Sequence, residues 1–316
     1  MKILVTGGAG FMGSNFIRHN LNKHRDYEIV NLDKLTYAGN LNNLRDVEKN
    51  KRYGFVKGDI ADDKIVDELA NGADVIINYA AETHVDRSIL GPTSFIITDV
   101  LGTFVLLEAA RKNDLKFIQI GTDEVYGSID KGSFNEEAAL QPNNPYSASK
   151  AAADLLIRSY IKTYGLKAVI TRSCNNFGQF QHPEKLIPRF ITNLLIGKQV
   201  PLYGKGQNIR EWIFVLDHCS AIDFILQKGK EEIYNIGSGQ EKKNIEVTNF
   251  ILNELGAGKD MIDFVKDRPG HDFRYSLNCK KLYSLGWRPI FKFEEALKQT
   301  IEWYKQNEWW WRPLVK

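Results

Sequence analysis

Val5-Thr6-Gly7-Gly8-Ala9-Gly10-Phe11-Met12-Gly13 follows the apolar run Ile3-Leu4-Val5 and opens a segment of helical period. Glycines at Gly7, Gly10 and Gly13 permit a tight turn, let backbone N–H groups approach a pyrophosphate, and let the helix lie close to the strand. A second apolar run, Tyr27 to Leu32, ends at Asp33, which is 33 − 13 = 20 residues past the last glycine. A carboxylate at that distance can accept from an adenosine ribose hydroxyl, and it would repel a 2′-phosphate. The stretch therefore predicts a dinucleotide site of NAD rather than NADP type, with a glycine turn that serves packing alone as the plain alternative.

Working outward, short apolar runs alternate with helical segments through the first half of the chain. The runs are Ile3 to Val5, Tyr27 to Leu32, Tyr53 to Val56, Val75 to Tyr79, Phe117 to Ile120 and Ala168 to Thr171. Helices are expected at about 11–23, 62–71, 93–112 and 145–164. This is the βαβ pattern of a parallel sheet covered on both faces. The fold class is thus α/β: a Rossmann-type doubly wound parallel sheet over 1–172, with a smaller C-terminal α/β lobe over 173–316 for substrate. Segments near 210–236 are candidates to return to the first lobe. After the third run, Gly58-Asp59-Ile60 sits where an adenine edge could be met, although Asp59 could equally cap a helix. Ala80-Ala81 after the fourth run allows close backbone approach.

Two further stretches carry chemistry. Pro142-Asn143-Asn144-Pro145 signals a helix start, so Tyr146 and Lys150 stand one turn apart on one face. An ammonium beside a phenol favours the phenolate, so Lys150 is expected to bring Tyr146 down from ~10 towards the working pH. The run ending at Ile120 leads into Gly121-Thr122-Asp123-Glu124, at the carboxyl edge of a strand where ligands of open α/β sheets bind. Adjacent carboxyls there can be driven to different protonation states and serve as acid and base. Capping of the following turn is the bland reading.

Composition narrows the class. The chain has 316 residues, 43% hydrophobic and 26% charged, with 42 Lys+Arg against 39 Asp+Glu for a net charge of +3. That balance excludes disorder and a nucleic-acid partner. Cys174, Cys219 and Cys279 are odd in number and unpaired in spacing, so no disulfide framework and no metal site is expected, and a reducing, cytoplasmic setting fits best. No stretch reads as a signal peptide or a membrane span. Trp309-Trp310-Trp311 reads as an apolar latch on the small lobe.

Gly7-x-x-Gly10-x-x-Gly13 with Tyr146-x-x-x-Lys150 resembles the extended short-chain dehydrogenase/reductase superfamily. Within it, Asp33 to Asn40, Ala80 to Ser88, Thr122 to Gly127, Gln181 to Pro188 and Asp267 to Asp272 resemble the dTDP-glucose 4,6-dehydratase family over nearly the whole chain. The resemblance implies a hydro-lyase using bound NAD. Tyr146, helped by Lys150, would take the proton of the sugar 4-hydroxyl while hydride leaves carbon four for the cofactor. Glu124 would remove the carbon-five proton, protonated Asp123 would donate to the departing 6-hydroxyl, and Thr122 would hydrogen-bond the 4-oxygen. It further implies Phe11, Met12, Lys34, Thr36, Ile60, Thr98 and Asn176 at the cofactor. His84, Asn175, Lys185, Leu186, Pro201, Leu202 and Tyr203 would line the sugar-nucleotide pocket. Arg210, Asn244, Arg268 and His271 would hold the diphosphate, and helices 93–112 and 145–164 would form a homodimer interface. An epimerase would share the 4-keto intermediate without needing Asp123 and Glu124, and a silent NAD-binding scaffold is the remaining alternative. Five positions depart from the family pattern: Asp99 in place of Asn, Gly121 in place of Ser, Gln179-Phe180 in place of Pro-Tyr, and Leu216 in place of Glu. Asp99 adds a charge near the cofactor.

Overall fold

The structure, a computed structural model, describes residues 1–267 and 270–315. The glycine stretch sits between β1 (Lys2–Thr6) and a helix, Phe11–Lys23. The next strands are β2 (Glu28–Asp33), β3 (Tyr53–Lys57), β4 (Val75–Asn78), β5 (Lys116–Thr122) and β6 (Ala168–Ser173). All the apolar runs of the first half are strands. They pair in parallel, and with a strand from the second half they form one seven-stranded sheet. That added strand is β10 (Ile233–Ile236), which pairs with β6 after the helix Val215–Lys228 has packed on Phe11–Lys23. Spatial order is β10-β6-β5-β4-β1-β2-β3, so the order of the strands reverses between β1 and β4. A crevice opens at such a reversal, outside the carboxyl ends of the strands.

The second half adds two small sheets. β9 (Ile209–Phe214) lies between β7 (Asn175–Phe177) and β11 (Glu241–Lys243), and β8 (Val200–Tyr203) pairs with β12 (Ile262–Val265). The helices Leu186–Leu195, Asn244–Glu254 and Phe293–Gln306 pack on them. The C-terminal tryptophans depart from expectation. Trp310 and Trp311 are buried, but Trp310 Nε1 donates to Asn43 Oδ1 at 2.7 Å, and Asn43 Nδ2 donates to the Ala9 carbonyl at 2.8 Å. The latch therefore closes on the glycine loop of the first lobe, while its rings meet Phe180 and Trp303 of the second.

The segment expected as one helix over 93–112 is not uniform: Ile96–Gly102 is π-helical between two α-helical pieces. Such widenings recur at functional sites. By length and composition the whole run Thr93–Lys112 is long and apolar enough to cross a membrane, contrary to expectation, although half of its apolar window is buried within the fold.

Behind the crevice, Arg172 of β6 donates from Nε to Asp154 Oδ2 at 2.8 Å, with both side chains fully buried, and from Nη1 to the Tyr126 hydroxyl. Removing one partner of a buried pair leaves an uncompensated charge. Asp154→Ala is expected to lose about 3 kcal/mol of stability, held to the low side by the Tyr126 hydroxyl that remains, and a urea unfolding midpoint measures it.

Candidate active site

The turn after β1 is shaped by its glycines. Gly7 has φ +66°, and a Cβ there would fall 2.5 Å from the Ala80 nitrogen; one on Gly13 would fall 2.6 Å from the Gly7 oxygen. No side chain caps the helix at Gly10, so the amides of Phe11, Met12 and Gly13 lack intrahelical acceptors and line a cavity of about 280 Å³. Asp33 lines the same cavity and is pinned by the amides of Ala9 and Leu35, each 2.8 Å from a carboxylate oxygen. Asn176 donates to Ser173 Oγ and to the Cys174 carbonyl, leaving its buried Oδ1 without a partner among the described residues. Bare helix amides, a pinned acid and an orphaned acceptor fit a dinucleotide.

The other residues expected at a cofactor, from Lys34, Thr36, Asp59 and Ile60 to Ala80, Ala81 and Thr98, also line this cavity. Asp59 does not cap a helix, because Asp62 does so for Asp63–Ala70; Asp59 pairs instead with Lys34 at 2.5 Å.

Thr122, Asp123, Glu124, Tyr146 and Lys150 meet at the deep end of the crevice. Asn144 caps the helix Pro145–Tyr164 by accepting from the Ser147 amide, which fixes where Tyr146 and Lys150 project. Thr122 Oγ1 lies 3.3 Å from Asp123 Oδ1 and accepts from the Glu124 amide. Asp123 Oδ2 is buried without a partner among the described residues. Burial, then the neighbouring Glu124 and Glu211, raise Asp123 well above the ordinary carboxylate range, which favours its protonated form.

Tyr146 runs against expectation. Burial, then Glu124 and Asp99, raise its phenol well above 10, the reverse of the direction argued from Lys150 alone. Lys150 Nζ donates to the Ile120 carbonyl at 2.8 Å, and burial lowers its own pKa. The sequence showed the ammonium one turn away but not the carboxyl groups of Glu124, Asp99 and Asp123, which face the phenol from other segments.

A second cavity of about 180 Å³ joins the first along Thr83, Glu124, Asn175, Glu184 and Lys185. It is lined by His84, Leu186, Pro201, Leu202, Tyr203, Arg210, Asn244 and His271, which come from six separate segments. Arg210 is buried, with Nη2 donating to the Asp272 carbonyl at 2.9 Å, and its guanidinium lies 4.3 Å from the centre of the Tyr275 ring. Buried Asn244 Oδ1 has no partner among the described residues. Arg268 lies outside the described residues. Glu184, not assigned from the sequence, lines both cavities and reaches Arg87 at 3.3 Å. Its place within Gln181 to Pro188 was the one available signal.

Residues 4–300 match the family described as GDP-mannose 4,6 dehydratase. A dTDP-glucose 4,6-dehydratase of Streptomyces niveus is 50% identical, over 99% of this chain and 96% of its own. The low-salt glycan biosynthesis protein Agl12 of Haloferax volcanii is 52% identical, over 96% and 98%. The chain belongs to the dTDP-glucose 4,6-dehydratase family. Among solved structures, the family member DesIV from Streptomyces venezuelae, crystallised with NAD, superposes with a TM-score of 0.98 at 49% identity and full coverage of both chains. The protein is accordingly an NAD-dependent hydro-lyase of this family.

Against the family pattern, two departures have local reasons. A Cβ on Gly121 would fall 2.4 Å from the Thr171 oxygen, so a serine needs β5 and β6 to shift apart. Gln179 and Asn15 exchange hydrogen bonds at 3.1 Å, and Phe180, at φ +66°, carries the Arg18 guanidinium 4.7 Å above its ring. Nothing in the structure explains Leu216.

Proposed function

We propose that the protein converts dTDP-glucose to dTDP-4-keto-6-deoxyglucose and water, with each reacting group supplied by the Thr122-Asp123-Glu124 and Tyr146/Lys150 clusters. The observation that carries this is the unlike environment of two adjacent acids beside the phenol: Asp123 is buried and its carboxyl is raised well above the ordinary range, while Glu124 is half-buried. When bound, NAD would supply hydride acceptance at carbon four and hydride return at carbon six. Tyr146 takes the proton of the 4-hydroxyl, with Thr122 hydrogen-bonded to the same oxygen. Glu124 takes the carbon-five proton, which the 4-keto group acidifies, and carbon five is reprotonated from the solvent-exchanging pool as hydride reaches carbon six. Asp123 donates its proton to the 6-hydroxyl, which leaves as water. Arg210, Lys185, Asn244 and His271 hold the nucleotide diphosphate in the second cavity, and Arg268 is assigned there by family resemblance. His84, Asn175, Leu186, Pro201, Leu202 and Tyr203 line the sugar-nucleotide path.

We assign the protein to the cytoplasm, where its three buried free thiols stay reduced, and we assign it a homodimeric state. Ile97, Leu101 and Phe104 form an exposed stripe on Thr93–Lys112, with Ile96 at its edge and Leu155 exposed on Pro145–Tyr164. A second copy covers such a pair of apolar helix faces.

In deuterated water without added reductant, dTDP-glucose is expected to give a 4-keto-6-deoxy sugar labelled at carbon five. Mass spectrometry and NMR of the product read this. Recovery of a carbon-four epimer without loss of water points to the epimerase instead, and tight NAD binding with no turnover points to a scaffold.

A further inference from the structure

Asp99 is 1% exposed, lies in the π-helical stretch Ile96–Gly102, and has no part in the steps above. Its Oδ1 accepts from the Glu82 amide at 2.9 Å. Its Oδ2 lies 2.6 Å from Ser149 Oγ, which in turn lies 2.8 Å from the carbonyl oxygen of Tyr146. Ser149 has one hydroxyl proton and can donate to only one of these oxygens. With Asp99 ionised, that proton goes to the carboxylate. With Asp99 neutral, the carboxyl can donate to Ser149, and Ser149 donates to the Tyr146 carbonyl.

The charged groups around Asp99 come from two elements. Glu82 lies on the segment after β4, and Lys150 and Tyr146 lie on the helix Pro145–Tyr164. Asp154 faces Lys150 as well, and Glu124 and Asp123 face Tyr146. We propose that Asp99 is a positioning residue that governs how readily Tyr146 gives up its proton, by offsetting the Lys150 ammonium and by reversing the hydrogen bond of Ser149. This rests on Tyr146 being the base. Ionised Asp99 opposes a second negative charge on the phenol and competes for the field of Lys150, and neutral Asp99 does neither. Burial, offset by Lys150 and the Ser149 hydrogen bond, raises the Asp99 carboxyl to about 6, so its charge changes close to neutral pH.

Asp99→Asn keeps the shape: its oxygen can accept from Glu82 and its amide can donate to Ser149. The acidic limb of the pH profile of kcat is expected to move about one pH unit lower in this variant. Ser149→Ala withdraws a donor from the same carboxylate, favours its neutral form, and is expected to move the limb the same way by less. A readout apart from turnover is thermal unfolding against pH. A carboxyl raised from 3.8 to about 6 in the folded state contributes stability below 3.8 that is lost as pH rises through 6. The melting temperature of Asp99→Asn relative to the native protein should therefore rise between about pH 4 and pH 7. Profiles of both variants that superimpose on the native one, with Tyr146→Phe inactive, overturn the role of Asp99 and leave Tyr146 as the base. An active Tyr146→Phe removes both.

Discussion

Tyr146→Phe is expected to turn over dTDP-glucose about 10³–10⁴-fold more slowly than the native protein, near the upper end of what one proton-transfer group contributes. The substitution removes one oxygen from a ring that is 8% exposed and packed edge-on against Phe95 with centroids 6.3 Å apart, so the fold should tolerate it. The loss is expected to fall on every stage together. Without the phenol the 4-hydroxyl keeps its proton, no 4-keto group forms, and the carbon-five proton is never acidified. Deuterium exchange at carbon five, absorbance of reduced nicotinamide during turnover, and product should all fall by the same factor. Exchange at carbon five that survives in Tyr146→Phe would show that oxidation at carbon four does not depend on this residue. Because burial and three acids hold the phenol above its usual range, the native rate should climb with pH on the acid side until Tyr146 ionises. The variant should show no such limb.

How far the site could be read in advance differs by segment, for a physical reason. The glycine turn, Asp33 and the Tyr146/Lys150 pair were legible because their geometry is local: a strand, a turn, a helix start, and residues four apart on one face. The Ile233–Ile236 strand was only a candidate for return, since nothing in four apolar residues says which edge of a sheet they join. The second cavity was not legible from spacing. His84, Lys185, Tyr203, Arg210, Asn244 and His271 are each ordinary alone, and tertiary packing brings them together. The motif resemblance named them; periodicity could not. The same limit explains the error about the Tyr146 phenol. Lys150 is one turn away and visible in the sequence, whereas Asp99, Asp123 and Glu124 reach the ring from other elements. The π-helical turn that carries Asp99 inward has no signature in the apolar pattern of 93–112.

Glu124→Gln should separate what Tyr146→Phe leaves joined. Glutamine keeps the length of the side chain and can still meet Ser147 Oγ, which lies 3.5 Å from Glu124 Oε2, but it cannot take a proton. Exchange at carbon five and release of water are expected to fall about 10²–10⁴-fold, while oxidation at carbon four, read as nicotinamide absorbance, persists. The variant also removes a negative charge that raises both Asp123 and Tyr146, so each of those groups should ionise at lower pH than in the native protein. For Tyr146 that moves the acidic limb of carbon-four oxidation down. For Asp123 the sign matters differently. The reaction needs its carboxyl protonated, and in the native protein burial with Glu124 and Glu211 favours the proton, so water loss should fail as pH rises through the raised value. In Glu124→Gln the residual water loss should fail at lower pH, because one of the charges holding that proton is gone. Native-rate product from Glu124→Gln would move the base to another residue. A residual alkaline limb that stays where it was would mean that Glu124 does not hold the proton on Asp123, and that burial and Glu211 suffice.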